Sequence, residues 1–265
     1  MVKKDGHVHT LFCPHGSNDS FEKYIEKALS LGFTEITFTE HAPLPDGFTD
    51  TTPTKDSAMS WSEWDHYVEE IDRVKKLYKD KIQINCGLEI DFIEGFEKET
   101  TQTLNKVGTK LDDAILSVHF LKLGERYDCV DYSPQGFEEM IKVYGSVEEI
   151  YKKYYKTVQM SVEADLGAFK PKRMGHITLV HKFQNRFPFH GDEKTALEHL
   201  LKTIKKEDYE LDYNGAGTAK PLCREPYPPD WVIQEARKLQ IPLVYGSDAH
   251  QAKELGQGYD RLLLN

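Results

Sequence analysis

His7-Val8-His9, near one end of the chain, is answered by Asp248-Ala249-His250 near the other. In a β-strand, side chains two apart leave the same face. Each pair therefore points two metal-ligating groups one way, as chelation of one ion needs. A lone pair of this kind is as common on a solvated surface. Here, however, the second pair follows an apolar run from Ile241 to Tyr245. The two pairs can share a site only if the first and last strands are neighbours. A closed parallel barrel makes them so, and an open doubly wound sheet does not.

The rest of the chain fits the barrel. Strand-like runs cover Asp5 to His9, Ile36 to Glu40, Ile82 to Ile90, Ala114 to Phe120, Met174 to Ile177, Glu210 to Tyr213 and Leu243 to Gly246. Helical periodicity lies between them. Ser20 caps Phe21 to Leu31, and Gly32 stops it. Ser62 is placed to cap a helix carrying Tyr67, Ile71, Val74 and Tyr78. Further helices are expected over Phe96 to Val107, Ser146 to Leu166, Glu193 to Lys206 and Pro229 to Leu239. Strands alternating with helices mean a parallel sheet. We expect an α/β fold, a single distorted (β/α)7 barrel of the TIM type, spanning one domain over residues 1–265.

In such barrels chemistry gathers where the strands end. Six of the seven expected strand ends carry His, Glu or Asp: His7 and His9, Glu40-His41, Glu89, His119, His176, then Asp248 and His250. The sixth strand ends in Asn214-Gly215, and His15 joins from the first loop. Of 11 histidines only His66, His181, His190 and His199 fall elsewhere. His66 and His199 lie in helical patterns and are expected in solvent, as is His190 in a loop. A carboxylate inside an apolar strand, such as Glu89, is costly unless paired or bound to metal. A catalytic zinc takes about three protein ligands, so eight or nine donors imply two or three divalent ions with a carboxylate bridge. Imidazole and carboxylate without thiolate suit Zn, Fe or Mn.

The net charge of −10 argues against nucleic acid as a partner. No apolar run approaches the ~20 residues that span a bilayer, and none precedes His7 as a signal segment would. Four scattered cysteines without Cys-x-x-Cys suit a reducing cytoplasm.

The set His7-x-His9, His15, His41, Glu89, His119, Gly175-His176 and Asp248-x-His250 resembles the motifs of the polymerase-and-histidinol-phosphatase (PHP) superfamily over nearly the whole chain. Gly175-His176-Ile177 and Glu225-Pro226-Tyr227-Pro228 resemble its histidinol-phosphate phosphatase branch. That resemblance implies a trinuclear site and hydrolysis of L-histidinol phosphate to L-histidinol and phosphate in histidine biosynthesis. It implies one metal on His7, His9, Glu89 and Asp248, a second on His15, His41 and His250, and a third on Glu89, His119 and His176. Thr178 stands where the family often has Asp, and His181-Lys182 where an Arg is often found.

The implied chemistry is attack on phosphorus by a hydroxide made available at neutral pH by the metals. Asp248 is expected to orient or deprotonate the water, and His181 or His250 to protonate the leaving alkoxide. Lys182, Lys220 and Arg224 are candidate phosphate contacts. Asp46 and Asp91 are candidates for the substrate's ammonium. Lys170, Lys172 and Arg173 precede strand five and fall on the opposite rim. Pro43 to Ser60 reads equally as a lid or a plain loop. Two other readings stand beside this one. A metal hydrolase of amides or phosphodiesters is disfavoured by His119 on strand four, where amidohydrolases usually carry a modified Lys. A non-catalytic scaffold is disfavoured because every ligand position is filled.

Overall fold

The computed structural model describes residues 3–262, so residues 1–2 and 263–265 of the expected domain lie outside it. In chain order the strands are β1 (Lys4–Val8), β2 (Glu35–His41), β3 (Gln83–Asp91), β4 (Asp113–Ser117), β5 (Phe120–Leu123), β6 (Arg126–Cys129), β7 (Arg173–Met174), β8 (Glu210–Asn214) and β9 (Leu243–Gly246). Seven pair in parallel in the order β1-β2-β3-β4-β7-β8-β9, and β5 with β6 forms a separate antiparallel hairpin. The expected seven-stranded parallel architecture is what the chain adopts.

The seam between β1 and β9 closes through the two motif pairs themselves. Asp248 N donates to His7 O at 2.7 Å, and His9 N donates to Ala249 O at 3.0 Å. Just below, the buried Asp5 carboxylate accepts from Ser247 N at 2.9 Å. The barrel is uneven. β2 and β3 pair over seven consecutive residues, whereas β7 pairs over two on each side.

The helices are α1 (Phe21–Ser30), α2 (Trp64–Tyr78), α3 (Glu97–Val107), α4 (Pro134–Tyr144), α5 (Val147–Glu163), α6 (Lys194–Lys206) and α7 (Asp230–Lys238). Each buries one side of its surface. On α2 this is Trp64, Tyr67, Ile71, Val74 and Tyr78, and burying a large apolar side chain contributes roughly 1.5–3 kcal/mol. Among the described residues no helix is long and apolar enough to cross a membrane.

Four expectations need correction. The run from Ala114 to Phe120 is not one strand: β4 ends at Ser117, and the chain returns as the β5–β6 hairpin through Gly124 at φ +60°. A positive φ at the turn suits glycine. Helix α4 was not expected, although Ser133 caps it by accepting from Gly136 N, with Pro134 at its first position. The fifth barrel strand is shorter than Met174 to Ile177, because the chain leaves the sheet at Gly175 for a 3₁₀ turn over Leu179–Phe183. Ser62 is not a cap: α2 starts after Glu63 without a side-chain cap.

Arg173 opens β7, at the end of the barrel away from the strand-end ligands, as expected. It is buried inside the barrel, where its Nη2 donates to Gly6 O at 3.0 Å and to Asp113 at 2.8 Å. A Cβ at position 6 would collide with this guanidinium and with Val244. Glycine there makes room for the arginine.

Candidate metal centre and active site

The donors read from the strand ends converge. Glu89, at the centre of the mouth, has Oε2 at 3.4 Å from His7 Nε2, 3.5 Å from His9 Nε2 and 3.1 Å from His41 Nδ1. Its Oε1 lies 2.8 Å from His176 Nε2 and 3.8 Å from His119 Nε2. Asp248 Oδ1 is 3.3 Å from His9 Nε2 and 3.8 Å from His7 Nε2. His15 Nε2 and His250 Nε2 face each other at 3.1 Å. All nine expected ligand residues therefore meet at one mouth.

Two observations say that this cluster fits metal ions. First, His7 Nε2, His9 Nε2 and Glu89 Oε2 are buried without a well-formed hydrogen bond. A buried polar atom left bare is costly. Two donors about 2.1 Å from one tetrahedral ion sit ~3.4 Å apart, close to the spacings around Glu89 and Asp248. Secondly, the opposite nitrogen of most rings is already held. His7 Nδ1 meets Asp212 at 2.9 Å, His9 Nδ1 meets Glu40 at 3.2 Å, and His119 Nδ1 meets Asp91 at 2.7 Å. His15 Nδ1 donates to Asp56 O at 2.7 Å. Such partners fix ring tautomer and direction around a metal.

Charge follows the same geometry. Burial disfavours the Glu89 carboxylate, yet His7, His41 and His119 hold its pKa well below the usual range. Burial likewise opposes a charged His9, but the surrounding carboxylates of Asp248, Glu40 and Glu89 push it up to about 9. His119, beside Asp91 and Glu89, rises to about 10 against its own burial. His250 goes the other way: burial and the neighbouring His9 and His15 hold it neutral. A neutral imidazole suits a metal ligand.

The mouth opens into a cavity of about 410 Å³. Lys182 and Lys220 line it, as do Thr52, Thr54, Asp56 and Ser57 of the segment read as a lid or loop. Arg224 does not line it. That residue is exposed at φ +71°, and its Nε turns back to Pro221 O at 3.3 Å. Asp46 is exposed and off the cavity wall. Asp91 lines the cavity but is engaged by His119. His66, His190 and His199 are exposed, as expected.

His181 is not presented to the cavity. It is buried, with Nδ1 at 2.7 Å from Glu225 and Nε2 at 2.9 Å from both Glu193 and Tyr155 Oη. Both ring nitrogens are occupied, so it has no proton path to a leaving group.

Sequence reasoning missed Asp212 and Cys13, and it placed Glu40 at a strand end without seeing that it holds a ring. Asp212 and Glu40 are buried acids in apolar strands, the signal that singled out Glu89. Cys13 has its thiol within 4.8 Å of ligand atoms of His9, His41 and His250.

A parallel barrel with imidazole–carboxylate clusters at its C-terminal mouth is the architecture of a metal-dependent hydrolase. The chain belongs to the PHP domain family: residues 5–216 match the family model, and residues 232–262 match that of the PHP-associated segment. Its relatives narrow the comparison. It is 48% identical over 265 residues, 99% of each chain, to the histidinol-phosphatase of Bacillus subtilis (strain 168). A Listeria monocytogenes crystal structure, provisionally assigned as a histidinol phosphatase, superposes with TM-score 0.94 at 40% identity, covering 98% of this chain and 99% of that one. Histidinol phosphate phosphatase of Lactococcus lactis, crystallised with Zn, L-histidinol and phosphate, shares the fold at TM-score 0.71 and 22% identity, with 94% and 87% covered.

Proposed function

We propose that this chain is a histidinol phosphatase, hydrolysing L-histidinol phosphate to L-histidinol and phosphate in histidine biosynthesis. The observation that carries the reading is near-complete alignment with a histidinol-phosphatase at 48% identity, in a chain whose nine candidate ligands meet at one mouth. The Lactococcus relative, which holds Zn together with L-histidinol and phosphate, supports pairing this substrate with metals. We read residues 1–265 as one catalytic unit working in the cytoplasm, and its four free thiols suit that compartment.

Two or three divalent ions, Zn, Fe or Mn, are assigned to three groups, two of which share Glu89. The first is His7, His9, Glu89 and Asp248, the second His15, His41 and His250, and the third Glu89, His119 and His176. Ions bound there would neutralise phosphoryl charge and bring the pKa of a water to about 7. The chain's own groups do the rest. Lys182 and Lys220 hold phosphoryl oxygens. Asp248 orients the attacking water, its Oδ2 fixed by Asn214 Nδ2 at 3.1 Å. Glu40, Asp91 and Asp212 keep the rings aimed.

The test is phosphate release by protein purified without chelator. L-histidinol phosphate should turn over far faster than an aryl phosphate or a single-stranded oligonucleotide. Comparable turnover of all three overturns the substrate and leaves a general phosphoesterase.

A further inference from the structure

On the same cavity wall, one acid is paired with a lysine. Lys182 Nζ donates to Asp131 Oδ2 at 2.8 Å, and Cys129 Sγ donates to Oδ1 at 3.3 Å. Both Asp131 and Lys182 line the cavity, and their side chains are 18% and 24% exposed, open enough to meet a ligand. The β5–β6 hairpin puts Asp131 there. It leaves the barrel after His119 and returns, with Val130 N donating to His119 O at 2.9 Å. Asp131 follows at once.

The other acids on the wall are already committed. Glu89 and Asp248 face the clustered imidazoles, and Asp91 holds His119. Glu254 accepts from His250 N at 3.1 Å and from Gln251 at 3.2 Å. Asp56 is bonded by Thr54 Oγ1.

We propose that Asp131 is a specificity-determining residue that takes the substrate's ammonium when Lys182 leaves it for the phosphate. The inference rests on the histidinol phosphatase reading. That substrate carries an anion and an ammonium on adjacent carbons, so it can replace both halves of the Lys182–Asp131 pair at once. A phosphate ester lacking the ammonium takes Lys182 and strands a half-buried carboxylate, which is unfavourable. The ion pair thereby makes the cavity select aminoalkyl phosphates. Burial disfavours the Asp131 carboxylate, but Lys182 and His119 hold its pKa below the ordinary value, so it is charged at neutral pH.

The experiment compares L-histidinol phosphate with 3-(imidazol-4-yl)propyl phosphate, which has the same ring and phosphate and no ammonium. The wild-type metalloenzyme should favour the former in kcat/KM by on the order of 10- to 100-fold, mainly through KM. In Asp131→Asn the preference should fall to within about twofold. A preference that survives Asp131→Asn, or a wild type that treats both esters alike, overturns the proposal and leaves the phosphatase reading standing. A wild type inactive on both overturns the reading itself. A second measurement needs no variant. In wild type, inorganic phosphate should tighten inhibition by L-histidinol and not by 3-(imidazol-4-yl)propanol, since coupling between two sites is reciprocal. Equal effects on both inhibitors overturn the proposal even if Asp131→Asn does not fold.

Discussion

Two places in this molecule bury imidazoles among carboxylates, and they work in opposite ways. At His181 each ring nitrogen meets its own acid, Glu225 at 2.7 Å and Glu193 at 2.9 Å. At the barrel mouth His7 and His9 each have one nitrogen held, by Asp212 and Glu40, and the other bare toward Glu89 and Asp248. The residue types are the same. What differs is leftover bonding capacity: a satisfied imidazole is a clamp, and a half-satisfied one is a ligand. His181 ties the 3₁₀ turn that carries Lys182 to the start of α6 and to the segment that carries Lys220. His7 and His9 tie nothing with their free nitrogens.

The largest expected effect breaks the mouth. Glu89→Gln should lower phosphate release by on the order of 10³-fold, and elemental analysis should find at least one ion lost. Circular dichroism should stay native. Full activity would refute the bridging role.

The clamp should show itself in stability. Burial opposes the charged His181, but its hydrogen bonds to Glu193 and Glu225 push its pKa up to about 9. A raised folded-state value stabilises fully below the unfolded value of about 6.5, and that contribution is lost as pH rises through about 9. The unfolding free energy from denaturant titrations should therefore fall from pH 6.5 to 9 by up to about 3 kcal/mol in wild type. The slope should flatten in His181→Gln. An unchanged slope would mean that the clamp is not charged.

Asp212→Asn tests whether a held nitrogen matters at a distance from the ions. Metal affinity, measured against a competing chelator, should weaken by about 10- to 100-fold, with the fold retained. The smallest effect separates the basic residues on the segment after β8. Arg224→Ala should leave KM for the phosphoester within about twofold, because the side chain faces away, whereas Lys220→Ala should raise KM about tenfold. Equal effects would return Arg224 to the site.

Much of this was legible in the sequence, for an identifiable reason. Strand ends advertise themselves when they carry ligands, so His7, His41, Glu89, His119, His176 and His250 placed the barrel and its mouth together. The hairpin was not legible, because Ala114 to Phe120 is mostly apolar and the break at Ser117–His119 carries neither glycine nor proline. Gly124 was the available sign. Glu40 and Asp212 obeyed the rule applied to Glu89 and were overlooked as supports because they point to a ring and not to an ion. His181 and Arg224 were misplaced because sequence order gives proximity along the chain and not the direction of a side chain.

The seam has a consequence for biogenesis. His7 leaves the ribosome more than two hundred residues before Asp248 and Ala249, the partners that close its strand. At typical synthesis rates of 5–20 residues per second that is about ten seconds or more. Throughout that interval the first imidazoles are exposed on an unfinished chain. The complete set of His and Asp donors at the mouth can therefore assemble only after the last strand has been translated.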